Sequence, residues 1–228
     1  MNPDLNDCTI VFDLDGTIVD TAPDLAAAAN HVFEQIGLAP ISPQALHPFI
    51  SRGSRAMIVE GLRLHGIGKP EAEVTRLHDL FFPYYEANVA VLSRPFDGVP
   101  ELLDTLQKKG ARLAVCTNKF EALSKSLLEQ LGLAGRFGAI AGRDTFAVFK
   151  PDPGHLRDTI VMAGGSIARA VMVGDSEVDV ATAMAADVPC IGVSFGYTPR
   201  PMRELGADAV IDHYREFLPA LQTVLDRR

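Results

Sequence analysis

Short, unbroken apolar runs recur along the chain, and the stretches between them repeat apolar positions every three or four residues. The runs Thr9 to Phe12, Leu113 to Cys116, Ala139 to Ala141, Ala170 to Val173, Cys190 to Val193 and Ala209 to Ile211 are brief and favour β-branched and small residues. Such runs predict strands buried on both faces of a parallel sheet. Between them, Val99 to Lys109, Glu121 to Leu131, Pro153 to Ala163 and Val178 to Ala186 show helical spacing, and Gly110, Gly132 and Gly164 close the first three. Glycine suits the left-handed residue that follows a helix. The alternation implies βαβ units and hence an α/β fold, a Rossmann-like parallel sheet with helices on both faces.

One segment breaks this rhythm. From Ala22 to about Leu92 the spacing is helical and no strand is convincing. Thr21-Ala22-Pro23-Asp24, Ser42-Pro43 and Pro70 each look like a helix start, the last followed by Val74, Leu77, Leu80, Phe81 and Tyr84 at helical intervals. The reading is a small all-helical domain, residues 21–92, inserted after the first strand of a core made of residues 1–20 and 93–228. Its junctions fall near Asp20 and Arg94-Pro95.

Composition narrows the function classes. With 228 residues and 47% hydrophobic content the chain can bury one substantial core and a smaller second one. No apolar run approaches the roughly 18 residues of a membrane span, and MNPDLNDC lacks the basic start and apolar centre of a signal peptide. The expectation is therefore a cytoplasmic protein without a membrane partner. Cys8, Cys116 and Cys190 are widely spaced, odd in number and in or beside predicted strands, so they read as core packing residues. A net charge of −8 without a basic run argues against nucleic acid as a partner. The six histidines, His31, His65 and His213 among them, show no metal-binding spacing.

In an open parallel sheet, ligands sit beyond the carboxyl ends of the strands. The first strand delivers Asp13 and Asp15 in FDLDGT, and the second delivers Thr117 and Asn118 in VCTN. The third leads to Lys150 in KPDP, and the fourth to Asp175, with Asp179 close behind, in VGDSEVD. Carboxylates crowded on one edge repel, and a divalent cation offsets that repulsion; oxygen ligands alone suit magnesium. Each motif alone is weak, since Asp13 and Asp15 could cap a turn and Lys150 could be an exposed loop residue.

Together and in this order, the four motifs resemble the signature of the haloacid dehalogenase-like hydrolases over nearly the whole chain, with the helical insert matching that family's cap. The resemblance implies a magnesium-dependent phosphomonoester hydrolase that works through an aspartyl phosphate. It implies Asp13 as nucleophile, Asp15 as acid and then base with Thr17 steering it, and Thr117 and Asn118 on the phosphoryl oxygens. Lys150 would neutralise charge, and Mg2+ would be held by Asp13, the Asp15 carbonyl and Asp175, supported by Asp179. The second aspartate, Asp15, favours phosphoryl transfer over attack on carbon, which needs no leaving-group acid. DTAPDL and the tail SFGYTPRPMRELGADAVIDHYREF resemble the phosphoglycolate phosphatase branch, so 2-phosphoglycolate or another small anionic phosphate ester is the expected substrate. A sugar-phosphate phosphatase, a β-phosphoglucomutase-like phosphomutase and a catalytically silent phosphate-sensing module remain alternatives; a monomer or a homodimer fits equally. In the insert, Ser51-Arg52-Gly53-Ser54-Arg55 is either a glycine-broken helix junction with solvated arginines or a substrate contact, with Arg52 and Gly53 meeting the substrate carboxylate.

Overall fold

Four consecutive residues without solvent exposure, Thr9–Phe12, form β1, the strand on which the sheet is centred. The computed structural model describes residues 5–227. After β1 come β2 (Val19–Asp20), α1 (Ala22–Glu34), α2 (Pro43–Ile50), α3 (Ser54–Leu64), α4 (Glu71–Ala87) and β3 (Arg94–Pro95). Then follow α5 (Val99–Lys108), β4 (Arg112–Cys116), α6 (Glu121–Gln130), β5 (Ala139–Ala141) and α7 (Pro153–Met162). The chain continues with β6 (Ala170–Gly174), α8 (Glu177–Ala186), β7 (Cys190–Val193), β8 (Ala209–Ile211) and α9 (Phe217–Leu225).

The sheet has the order β5-β4-β1-β6-β7-β8 with every pairing parallel. Thr9 lies opposite Arg112 on one side and Ala170 on the other. Because the chain first builds outward through β4 and β5 and then returns to build through β6, the order reverses at β1. A crevice opens at such a switch point, beyond the carboxyl ends of the strands. Successive residues of a strand face opposite sides, so Val11 and Phe12 enter different layers. Val11 packs with Ala114, Met172, Leu156, Ile160 and Ala183, which brings α7 and α8 onto one face. Phe12 stacks on Phe217 of α9 on the other, with ring centroids 6.1 Å apart. The three cysteines are buried and unpaired, and burial pushes the Cys8 thiol up to about 11.

The chain divides into two compact units: one runs to Asp20 and resumes at Pro95, and the other is Thr21–Arg94. Within the second unit α1 to α4 bury Phe33, Leu46, Met57, Ile58, Phe81 and Tyr85. Ser42 caps α2 by accepting the Ala45 N–H, and the Asn30 side chain brackets Ile41 through both its carbonyl and its N–H. Buried Asp24 accepts from the backbone N–H groups of Leu92 and Ser93 and from the Ser93 hydroxyl, tying the first helix to the last residues of the unit. The paired strands β2 and β3, where the chain leaves and re-enters the core, carry no signal in the sequence pattern. Among the described residues no helix is long and apolar enough to cross a membrane.

Candidate active site

The β1 strand ends by extending one more ladder bond, from the Asp13 N–H to the Val173 carbonyl at 2.8 Å, so the Asp13 backbone is still fixed by the sheet. The chain then turns at once. The Leu14 carbonyl accepts N–H groups from Thr17, Ile18 and Val19, and Gly16 takes a φ of 80° that other residues rarely adopt. A side chain at Gly16 would also strike the Asp175 carboxylate, as would one at Gly196. Two glycines from distant parts of the chain therefore make the space that Asp175 fills.

Asp13, Asp175 and Asp179 are all buried, and each can offer one oxygen within 4.8 Å of the others. Lys150 sits among them, 3.0 Å from Asp13 Oδ1 and 2.5 Å from Asp179 Oδ1. Asp179 is spoken for at both oxygens: Oδ2 accepts the Ser176 hydroxyl and N–H, which forms the capping box at the start of α8. Asp13 Oδ1 also accepts the Leu14 N–H at 2.7 Å, so both of these contacts fall on one oxygen of the carboxylate. Asp175 is oriented by the Thr17 hydroxyl at 3.0 Å and the Tyr197 N–H at 2.7 Å. The Tyr197 hydroxyl in turn donates to Asp20, and the Tyr214 hydroxyl to the Thr17 carbonyl.

Electrostatics follow from that burial. Desolvation raises the Asp13 carboxyl to about 6 despite the Lys150 ammonium, and the Asp179 charge adds to the rise. Asp175 is pushed well above the usual carboxylate range, first by burial and then by Asp179 and Asp13. Burial opposes the Lys150 charge, yet the two flanking carboxylates outweigh it and hold the lysine protonated. Three acids against one ammonium leave negative charge uncompensated in an oxygen-only cluster, which fits a hard divalent cation.

The other residues expected from the sequence lie on neighbouring strand ends. Thr117 is buried after β4 and its hydroxyl oxygen accepts the Lys119 N–H at 3.2 Å, so its own proton remains available to an incoming oxyanion. The Asn118 side chain donates to the Lys150 carbonyl at 2.9 Å, which anchors the lysine loop. Asp15 pairs with Lys119, a residue that motif reading passed over. Thr17 is directed at Asp175, not at Asp15. Arg52 belongs to the helical unit, where it is 58% exposed and 3.5 Å from Glu60. Gly53 has a φ of 89° and immediately precedes α3, which makes this stretch a helix junction. His155, on α7, is fully buried; its Nδ1 accepts the Lys150 N–H at 3.2 Å. Lys119, His155, Tyr197 and Tyr214 escaped sequence reasoning; Lys119 alone carried a signal, as a cation next to a strand-end motif.

A doubly wound core with a buried aspartate at the switch point and a buried lysine against it fits a hydrolase of the haloacid dehalogenase type. The chain belongs to that family: the pattern described as haloacid dehalogenase-like hydrolase matches residues 10–193. It is 47% identical over 211 residues to a phosphoglycolate phosphatase of Agrobacterium fabrum, covering 92% of this chain and 91% of that one. It is 33% identical over 218 residues to an N-acetylmuramic acid 6-phosphate phosphatase of Pseudomonas aeruginosa, covering 95% of both. A crystal structure from Haemophilus somnus described as a "predicted phosphoglycolate phosphatase" superposes with a TM-score of 0.84 at 27% identity, over 94% of this chain and 97% of that one.

Proposed function

We propose that the protein is a magnesium-dependent phosphomonoesterase that converts 2-phosphoglycolate to glycolate and phosphate through an aspartyl phosphate. The observation that carries the reading is the buried Asp13–Lys150–Asp179 chain at the switch point of the sheet. A carboxylate approaching a phosphate dianion is repelled, so positive charge must already stand beside both. Lys150 supplies it: Asp179 fixes the ammonium from behind and Asn118 fixes its backbone. Asp13, held at Oδ1, presents Oδ2 to phosphorus; Thr117 donates to a phosphoryl oxygen. Asp15 gives a proton to the leaving oxygen and later takes one from the water that releases phosphate, so one hard displacement becomes two in-line steps. Asp13, Asp175 and the Asp15 carbonyl would hold Mg2+, with Asp179 as support; the ion supplies Lewis-acid stabilisation of charge on the phosphoryl oxygens.

The relatives named phosphoglycolate phosphatase support that substrate, and the Pseudomonas aeruginosa relative favours a second reading, a sugar-phosphate phosphatase. Specificity constants over a panel of small phosphate esters with magnesium separate the two. A sugar 6-phosphate turned over better than 2-phosphoglycolate would replace the first reading with the second; turnover of neither would remove both.

A further inference from the structure

Two lysine side chains are withdrawn from solvent at the catalytic edge, and they have different surroundings. Lys150 is locked between two carboxylates. The Lys119 side chain is only 5% exposed, and its ammonium lies 3.0 and 3.2 Å from the two oxygens of Asp15. The turn that carries it is clamped: its N–H donates to the Thr117 hydroxyl, and its carbonyl accepts the Arg143 N–H at 2.9 Å. Withdrawing an ammonium from water is costly. Asp15, at 22% side-chain exposure, is open to solvent as well as to the lysine. The lysine is therefore placed for something that arrives beside Asp15.

We infer that Lys119 selects phosphate esters bearing a second anionic group, its ammonium exchanging the Asp15 carboxylate for the carboxylate of the substrate's tail. The inference rests on the phosphomonoesterase reading above and names the residue that reads the tail. Its logic is chemical. Asp15 serves the ester oxygen, and in 2-phosphoglycolate a single methylene separates that oxygen from the carboxylate. The cation for the tail must then lie next to the acid for the oxygen, which is where Lys119 stands. An ammonium on a flexible stem has three donors and can pass from one carboxylate to another without reordering a planar fork. The exchange also frees the Asp15 side chain to turn toward the leaving oxygen. Arg52, exposed and already facing Glu60, is not required for this recognition.

The test compares specificity constants for 2-phosphoglycolate and ethyl phosphate, in which a methyl replaces the carboxylate, in the parent protein, Lys119→Met and Lys119→Arg. The parent should prefer the anionic ester. Lys119→Met should reduce that preference on the order of tenfold to a hundredfold, the loss of one charge-assisted contact, with KM carrying most of it. Lys119→Arg, which keeps the charge, should restore a large part. Should methionine prevent folding, Lys119→Gln keeps a donor without charge and is read by the same ratio. An unchanged ratio, whatever the absolute loss, would mean that Lys119 serves Asp15 only and would overturn the inference, as would a parent indifferent to the tail. A parent that prefers a different anionic-tailed ester removes the phosphoglycolate reading while the inference stands, provided that the Lys119→Met variant loses that preference.

Discussion

His155 should make the core sensitive to mild acid, and the size of the effect follows from its surroundings. The imidazole is fully buried and accepts the Lys150 N–H. Burial first, and then the Lys150 cation, lower its pKa from 6.5 to about 4. A histidine with a depressed folded pKa contributes stability that is complete above the unfolded value and lost as pH falls toward the folded one. Between about pH 7 and about pH 5 the linkage relation gives a loss of about 2 kcal/mol from this residue. Protonation also turns the Nδ1 acceptor into a donor facing the Lys150 N–H. Asp13 works in the opposite sense: its carboxyl, raised from 3.8 to about 6, binds a proton more readily in the folded state. Over the same interval it adds about 1 kcal/mol on acidification, and Asp175 adds in the same direction. The net slope of the parent protein is thus a partial cancellation, so the informative quantity is a difference. Asparagine at position 155 retains an acceptor without the titration. Urea unfolding of the parent and His155→Asn in metal-free buffer, at several pH values across the interval, should show the parent losing about 2 kcal/mol relative to the variant. Parallel curves would refute the argument and would mean that His155 is solvated or already protonated.

Three further outcomes test the chemistry. Asp13→Asn is nearly isosteric and should abolish turnover without loss of folding; residual activity in a carefully purified variant removes the covalent step. Asp15→Asn should lose less of the phosphorylation rate on an aryl phosphate than on an alkyl phosphate, because a good leaving group needs less protonation; equal losses would assign the acid elsewhere. Chelation should eliminate activity and magnesium should restore it, with calcium a poor replacement because it takes more oxygen ligands at longer distance and would immobilise both Asp13 oxygens. Full turnover in excess chelator would sink the metal assignment.

The sheet was legible because strands buried on both faces are written as apolar runs. Thr9–Phe12, Ala139–Ala141, Cys190–Val193 and Ala209–Ile211 coincide with strands, and the others shift by one residue at an end. The strands β2 and β3 were invisible because two residues cannot show a period, and their pairing is a tertiary event. At the site, Asp13 and Asp175 could be placed together because each directly follows a strand end, and Lys150 and Asp179 because each lies on the segment that leaves one, where topology dictates convergence. The orientation of Thr17 toward Asp175 could not be read, since it depends on the room left by Gly16 and Gly196. Tyr197 and Tyr214 were equally hidden: the Tyr214 hydroxyl reaches back 197 residues to the Thr17 carbonyl, and Tyr197 reaches Asp20 through its hydroxyl, 177 residues back, and Asp175 through its N–H, 22 residues back. The histidines read as surface or packing residues, and which of the two His155 is could not be read from the chain, because its burial depends on how α7 packs against the sheet.

The two tyrosines also bear on the order in which the molecule is made. Synthesis proceeds from the amino end, so Asp13 leaves the ribosome long before Tyr214. Until the tail emerges, Asp175 lacks the Tyr197 N–H, and the Thr17 carbonyl lacks its phenolic donor. A nascent chain would therefore display all four motifs well before it could align them. Chains that stop ahead of Tyr197 would carry the four motifs without the contacts that orient Asp175 and hold the Thr17 turn.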